Sequence, residues 1–222
     1  MFHITGGSIG LLAGTINIIR YKGDRIHRLS GMFFFYGMIT AGIFALALSI
    51  FKTNYFLFIV GVFTLYMVST GYRYLKLKRL DYQTQKPKAI DWILTITMGI
   101  FGIAFIVMGI MNLTDHNNFG IVFLVFGLIG LRMVMQDVTN YQGKSKYMNT
   151  WKVTHIIRMI GAYIASVTAF LVVNVPPTMF SKTFSFVPWL LPTVIFTPLI
   201  FKWTREFAKR KKENFKLPGN QM

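Results

Sequence analysis

The side chains best suited to holding a metal or moving a proton are few here: four histidines, seven acidic residues and no cysteine in 222 residues. Two of the histidines stand beside arginines. His27 adjoins Arg28, and His155 precedes Arg158 by three residues in "KVTHIIRMIGAYIASVTAF". On a helix that spacing is about one turn, so His155, Arg158, Ala162, Ser166 and Ala169 share a stripe. Ser30 and Gly31 follow His27 in the same way. Two neutral imidazoles from different helices can ligate a b-type haem iron, with Arg132 or Arg158 on the propionates. An arginine at that depth without such a group needs a carboxylate, and Asp137 is the expected partner, with Arg73, Asp91 and Gln136 at a similar level. A plainer reading stands beside this one: imidazoles bonded to nearby backbone, and arginines reaching lipid phosphates from helix ends. His116, in the turn "NLTDHNNFG", reads as solvated.

The elements that must position these groups are apolar. A 54% hydrophobic chain with mean hydropathy +0.50 and net charge +17 conflicts with a soluble basic domain. It agrees with a multi-pass membrane protein, whose spans supply the apolar bulk and whose loops supply Lys and Arg. Seven apolar segments are expected, at roughly 4–19, 28–50, 55–74, 90–112, 118–136, 152–174 and 187–203. The fold class is therefore all-α, an integral bundle of seven transmembrane helices over 1–203, with a basic cytoplasmic tail over 204–222. The first segment is short, and the seventh, with Pro188, Pro192 and Pro198, is expected to be irregular.

Charge gives the orientation. Of the 24 basic residues only Lys52 and Lys182 fall on one side of the layout; the other 22 gather in the opposite loops and the tail. That asymmetry predicts N-terminus out and C-terminus in. Trp92, Trp151 and Trp203 then mark the inner interface and Trp189 the outer one. The opening "MFHITGGSIGLLAG" has no cationic residue before its apolar run, so a retained helix rather than a signal peptide is expected.

Small residues indicate how the helices approach. Gly6, Gly10 and Gly14 form a doubled G-x-x-x-G, and Gly7 belongs to the series His3, Gly7, Gly10, Gly14, Asn17 on one face. This predicts a tight helix–helix contact with His3 turned into the bundle at the outer edge. The first six helices also suggest three similar hairpins, each closed by a basic inner loop.

The stretches "FHITGGSIGLLAG", "KGDRIHRLSG" and "HIIRMIGAYIASVTAFLVVN" resemble an uncharacterised bacterial family of multi-pass membrane proteins, a domain of unknown function. Its pattern is H-x-x-x-G on the first helix, H-R-x-x-G after a basic turn, and a late His opening a further helix. His3 with Gly7, His27 with Arg28 and Gly31, and His155 occupy those positions. The resemblance implies a bacterial cytoplasmic membrane location and carries no activity. There is a looser likeness to cytochromes of the b561 type. The chain departs from it on the outer side, where His116 lies in a loop and His3 at the terminus.

The chain holds no H-E-x-x-H or P-loop signature. A binding, transport or accessory subunit with a basic cytoplasmic-side pocket is expected before an enzyme. The alternative is a b-type haem or quinone redox module using His27 and His155. The tail "KWTREFAKRKKENFK" interleaves aromatics with cations and is expected on anionic phospholipid headgroups, not on nucleic acid. A membrane-protein partner or homo-oligomer fits the small-residue faces.

Overall fold

Helix starts and stops follow local chemistry. Asp24 accepts the His27 backbone N–H at 2.6 Å and opens the second helix, a bond that holds its carboxyl below the usual carboxylate range. Asn54 opens the third by accepting the Leu57 N–H at 3.0 Å. Lys22 folds back onto the Asn17 and Ile18 carbonyls at the end of the first and lies 3.8 Å over the Trp203 ring. The resulting helices are α1 (Phe2–Ile19), α2 (Arg25–Lys52), α3 (Tyr55–Tyr74), α4 (Ala89–Thr114), α5 (Gly120–Tyr141), α6 (Thr150–Asn174) and α7 (Val187–Arg205). This computed structural model describes residues 1–80, 84–117, 119–145, 147, 149–176, 187–205 and 207, without the side chains of 187–190. Most of the tail, Lys182 and the Trp189 side chain lie outside the described residues.

Six helices, α1 to α6, are long and apolar enough to cross a membrane. By length and composition the chain is an all-helical, multi-pass membrane protein, with no strand among the described residues. The side-chain pattern agrees. On α4 the buried stripe is Asp91, Thr95, Met98, Gly102, Phe105 and Gly109, while Ile93, Ile96, Ile100, Ile103, Val107 and Ile110 face outward. Small and polar groups inside with branched aliphatics outside is an arrangement that lipid stabilises and water does not.

Helix α3 is the axis. Of its most apolar stretch 61% is buried, against 22–39% for the other five spans, and it packs on α2, α4 and α6. α1 packs on α2, α4 on α5, and α6 on α7. The expected grouping into three hairpins does not describe these contacts. α3 lies against α2 and α6 more than against α4, and α5 meets α6 through side chains. The expected end of the fifth segment at 136 is also early: α5 runs to Tyr141, because Asp137, Asn140 and Tyr141 are buried and partnered.

The α1 glycines act as expected with one exception. A Cβ on Gly6 would lie 2.8 Å from the Gly37 carbonyl, one on Gly10 2.6 Å from Met38 Sδ, and one on Gly14 would collide with the Tyr163 ring. A Cβ on Gly7 would meet nothing within 4 Å. Gly6, not Gly7, faces α2: α1 and α2 touch along the 6–10–14 row, and Gly7 lies off it.

Candidate functional site

The helices bring one ionisable cluster together near the end where the α1–α2, α3–α4 and α5–α6 connections lie. Tyr66, Thr70 and Tyr74 repeat every fourth residue on α3 and so share a face. Asp137 and Tyr141 do the same on α5, Asp91 and Thr95 on α4, and Thr154 and Arg158 on α6. These four faces converge on the Asp137 carboxylate, which is fully buried. Tyr66 Oη donates to Oδ2 at 2.5 Å, Tyr74 Oη to Oδ1 at 2.9 Å, and Arg158 Nη2 to Oδ1 at 2.9 Å. Thr95 lies at the limit of bonding, 3.5 Å from Oδ2, and donates more directly to Tyr141 Oη at 3.3 Å. Asn140 Nδ2 donates to Tyr74 Oη at 3.0 Å and so extends the network.

Arg158 is the largest fully buried side chain in the molecule's described residues. Its Cβ packs against Gly71, where a Cβ would stand 3.1 Å away, and its guanidinium lies 4.9 Å over the Tyr66 ring. Nη2 divides its hydrogens between Asp137 and the Met133 carbonyl at 3.1 Å. Nε and Nη1 find no acceptor among the described residues. A guanidinium carries five N–H bonds, so most of its donor capacity at this depth is unspent. Buried donors without acceptors are costly, and such groups in native proteins are met by water or a ligand.

A second pair lies nearer the helix ends. Arg73 grips Asp91 with both arms of its fork, Nε to Oδ1 at 2.6 Å and Nη2 to Oδ2 at 2.8 Å. Asp91 also accepts the Lys88 N–H at 2.8 Å, so one carboxylate starts α4 and ties it to α3. Beyond it Tyr74, Leu77, Leu80 and Tyr141 form a buried plug, with Trp92 and Trp151 packed against it. Three of the tryptophans expected at the inner interface therefore sit at this end, Trp203 under Lys22.

Of the site residues expected from sequence, Arg158 and Asp137 meet, and His155 stands one turn from Arg158. Its Nδ1 is 2.9 Å from the Gly71 carbonyl on α3, which makes Nδ1 the protonated nitrogen and leaves the Nε2 lone pair free. Arg132 does not join them; it is exposed on α5 in the row Ile121, Val125, Leu128 and Met135, and makes no hydrogen bond or ion pair among the described residues. His27 belongs to a different clasp. With the Asn17 amide oriented so that both its ends find partners, its nitrogen faces Ser30 Oγ at 2.7 Å, the His27 carbonyl at 2.9 Å and His27 Nδ1 at 3.1 Å, and its oxygen accepts the Gly31 N–H at 3.1 Å. His3 is at the far end, with Nδ1 2.9 Å from the Ala41 carbonyl. His116 is exposed in the turn after α4 with φ +56.

The His155 tautomer bears on the haem reading. An axial ligand offers Nε2 while Nδ1–H is held by a carbonyl or carboxylate, and His155 has that form. For His27 the two Asn17 amide hydrogens have three acceptors within reach, Ser30 Oγ, the His27 carbonyl and Nδ1, so that contact does not set the tautomer. Among the described residues no group of three His, Asp or Glu side chains is placed to hold a metal ion.

Tyr66, Tyr74, Thr95 and Asn140 were not singled out from the sequence. The signal was present in "YMVSTGYRY", where tyrosine and threonine recur at four-residue spacing, but a tyrosine near the end of an apolar segment ordinarily reads as an interface anchor. No family model, curated protein or solved structure matches the chain. The motif resemblance therefore rests on His3, Gly7, His27, Arg28, Gly31 and His155 themselves.

Proposed function

We propose that this protein is a binding, transport or accessory subunit of a bacterial cytoplasmic membrane, with Arg158 at the centre of its site. The observation that carries the reading is the unspent donor capacity of Arg158, buried, fixed by Asp137 and without acceptors at Nε and Nη1 among the described residues. A charge pair serving only to join α5 to α6 would be expected to use the whole fork, as Arg73 does on Asp91. Arg158 is instead held by one nitrogen, which leaves the others for an oxygen acceptor on a small molecule or lipid. Because Asp137 already balances the charge, the acceptor need not be an anion. The basic end faces the cytoplasm in this reading, with seven spans, the N-terminus outside and the tail on anionic lipid.

Arg158→Lys is the test. Lysine keeps a cation for Asp137 and loses the planar fork. The variant is expected to fold, to keep a cooperative melt in detergent, and to lose whatever oxygen-bearing molecule co-purifies with the wild type, read by mass spectrometry. Identical melting and identical bound molecules in both would make Arg158 a structural tie and remove the site. Reporter fusions after Lys88 and Met222 are expected to read cytoplasmic and one after Asn118 external; a periplasmic C-terminus would invert the layout.

The redox alternative keeps one supporting observation, the Nε2 lone pair of His155. A visible spectrum of the purified protein decides it. A Soret band lost in His155→Ala, with the fold retained, would replace the binding reading.

A further inference from the structure

We propose that the α3–α4 connection holds a site for a phosphate group, either on a lipid headgroup or free in solution. The site is a hollow of about 400 Å³ lined by Lys76, Lys78, Arg79, Thr84 and Gln85. It is separate from the Arg158 cluster and does not depend on that reading.

The local sequence builds this hollow in alternation. Leu77 and Leu80 are 1% and 3% exposed and anchor the connection in the Tyr74–Tyr141 plug, while Lys76, Lys78 and Arg79 between them point outward. Gln85 then closes the curve. Its Nε2 donates to the Lys76 carbonyl at 2.7 Å and its Oε1 accepts the Arg79 N–H at 3.1 Å. The two bonds fix the backbone around the cations without using any cationic group.

Two of the three cations lie over aromatic faces. Lys76 lies 4.8 Å over the Tyr72 ring and Lys78 5.2 Å over Trp151. Neither they nor Arg79 form an ion pair among the described residues, and the nearby Asp91 is occupied by Arg73. A cation over a ring keeps its charge and its outward hydrogens. Two such charges, with the Thr84 hydroxyl and the Arg79 fork, form the donor set that a phosphate takes. The depth is also suitable: the hollow opens beside Trp151, at the level where tryptophans meet lipid headgroups and where basic residues next to spans attract anionic lipid.

The experiment uses the full chain in a neutral detergent. In one arm, native mass spectrometry compares adducts of phosphatidylglycerol and phosphatidylcholine. In the other, lipid-free protein is melted with inorganic phosphate or with chloride at equal ionic strength. The variants are Lys76→Gln/Lys78→Gln/Arg79→Gln, the charge-keeping Lys76→Arg/Lys78→Arg/Arg79→Lys, and the control Arg20→Gln/Arg25→Gln/Arg28→Gln. Phosphatidylglycerol retention is expected to fall at least roughly tenfold in the glutamine variant alone. If retention is unchanged but phosphate raises the melting temperature of wild type and not of the glutamine variant, the ligand is free phosphate and the site stands. Thr84→Glu, which adds a carboxylate and removes no cation, is expected to lose the same binding and covers the case in which the triple variant misfolds. No dependence on the hollow in either arm, or equal loss in the control, would overturn the proposal.

Discussion

Helix α5 has two seams, and they are built on opposite plans. Towards α4 it is stitched along its length by glycines: a Cβ on Gly127 would lie 2.9 Å from the Gly102 carbonyl, and one on Gly120 2.5 Å from that of Gly109. Towards α6 the backbones stay apart, and the main contact is the Arg158 guanidinium reaching Asp137 and the Met133 carbonyl, with a longer bond of 3.5 Å from Asn140 to Thr154. The first seam spreads its stabilisation over many small van der Waals contacts, so any one of them can be lost. The second concentrates it in a buried charge pair and fails as a unit. A membrane interior makes that contrast sharp, because apolar side chains gain little by leaving lipid, whereas an unpaired charge has nowhere favourable to go.

The largest effect is therefore expected at the α5–α6 seam. Arg158→Ala leaves Asp137 buried without its counter-charge and should cost ~3–5 kcal/mol in unfolding experiments in detergent. Removing both partners in Arg158→Leu/Asp137→Leu should cost less than Arg158→Ala alone, since no uncompensated charge remains. A double variant as unstable as the sum of the singles would show that the pair is not coupled, and the contrast between seams would fall. Tyr66→Phe is the next step down. It deletes one donor to the carboxylate while keeping the ring under Arg158, and about 1.5–3 kcal/mol is expected. An unchanged melting temperature would mean that Tyr74 and Arg158 suffice.

At the glycine seam the expectation depends on what the new methyl would meet. Gly120→Ala pushes against backbone, the Gly109 carbonyl and the Leu113 nitrogen, and neither can move without shifting a helix. A cost of ~1–3 kcal/mol is expected. Gly10→Ala pushes against Met38 Sδ, the end of a flexible side chain, and should cost clearly less. If the two substitutions were equal, backbone proximity would not be what holds α4 to α5.

The same contrast explains what was legible in the sequence. Seven apolar segments, the glycine row of α1 and the basic loops are periodic or compositional signals, and the helices appear within a few residues of where hydropathy places them. The Arg158–Asp137 pair was legible from depth, because two opposite charges inside apolar segments have few alternatives to one another. Arg132 has the same composition signal and a different outcome; one residue type at one depth can face lipid or core, and only the angular position on α5 decides. Tyr66 and Tyr74 were illegible for a related reason. Their hydroxyls matter only because α3, α5 and α6 meet where they do, and that meeting is a property of packing that no single segment encodes.

The smallest effect separates these two kinds of information most cleanly. Gly6 and Gly7 are adjacent, identical in type and equally part of a plausible small-residue face, yet a Cβ at Gly6 would strike the Gly37 carbonyl and one at Gly7 would enter open space. Gly7→Ala should therefore be harmless. Alanine is the better helix former by about 0.8–1.0 kcal/mol in an exposed helix interior, so the variant should be neutral or slightly more stable. Gly6→Ala should be destabilised, since it confronts backbone on α2. Side-by-side melts of the two variants read the rotation of α1 directly. If Gly7→Ala proved the more damaging, α1 would be turned by about 100° from the orientation described, His3 would leave the Ala41 carbonyl, and the series His3, Gly7, Gly10, Gly14, Asn17 would be the packing face after all.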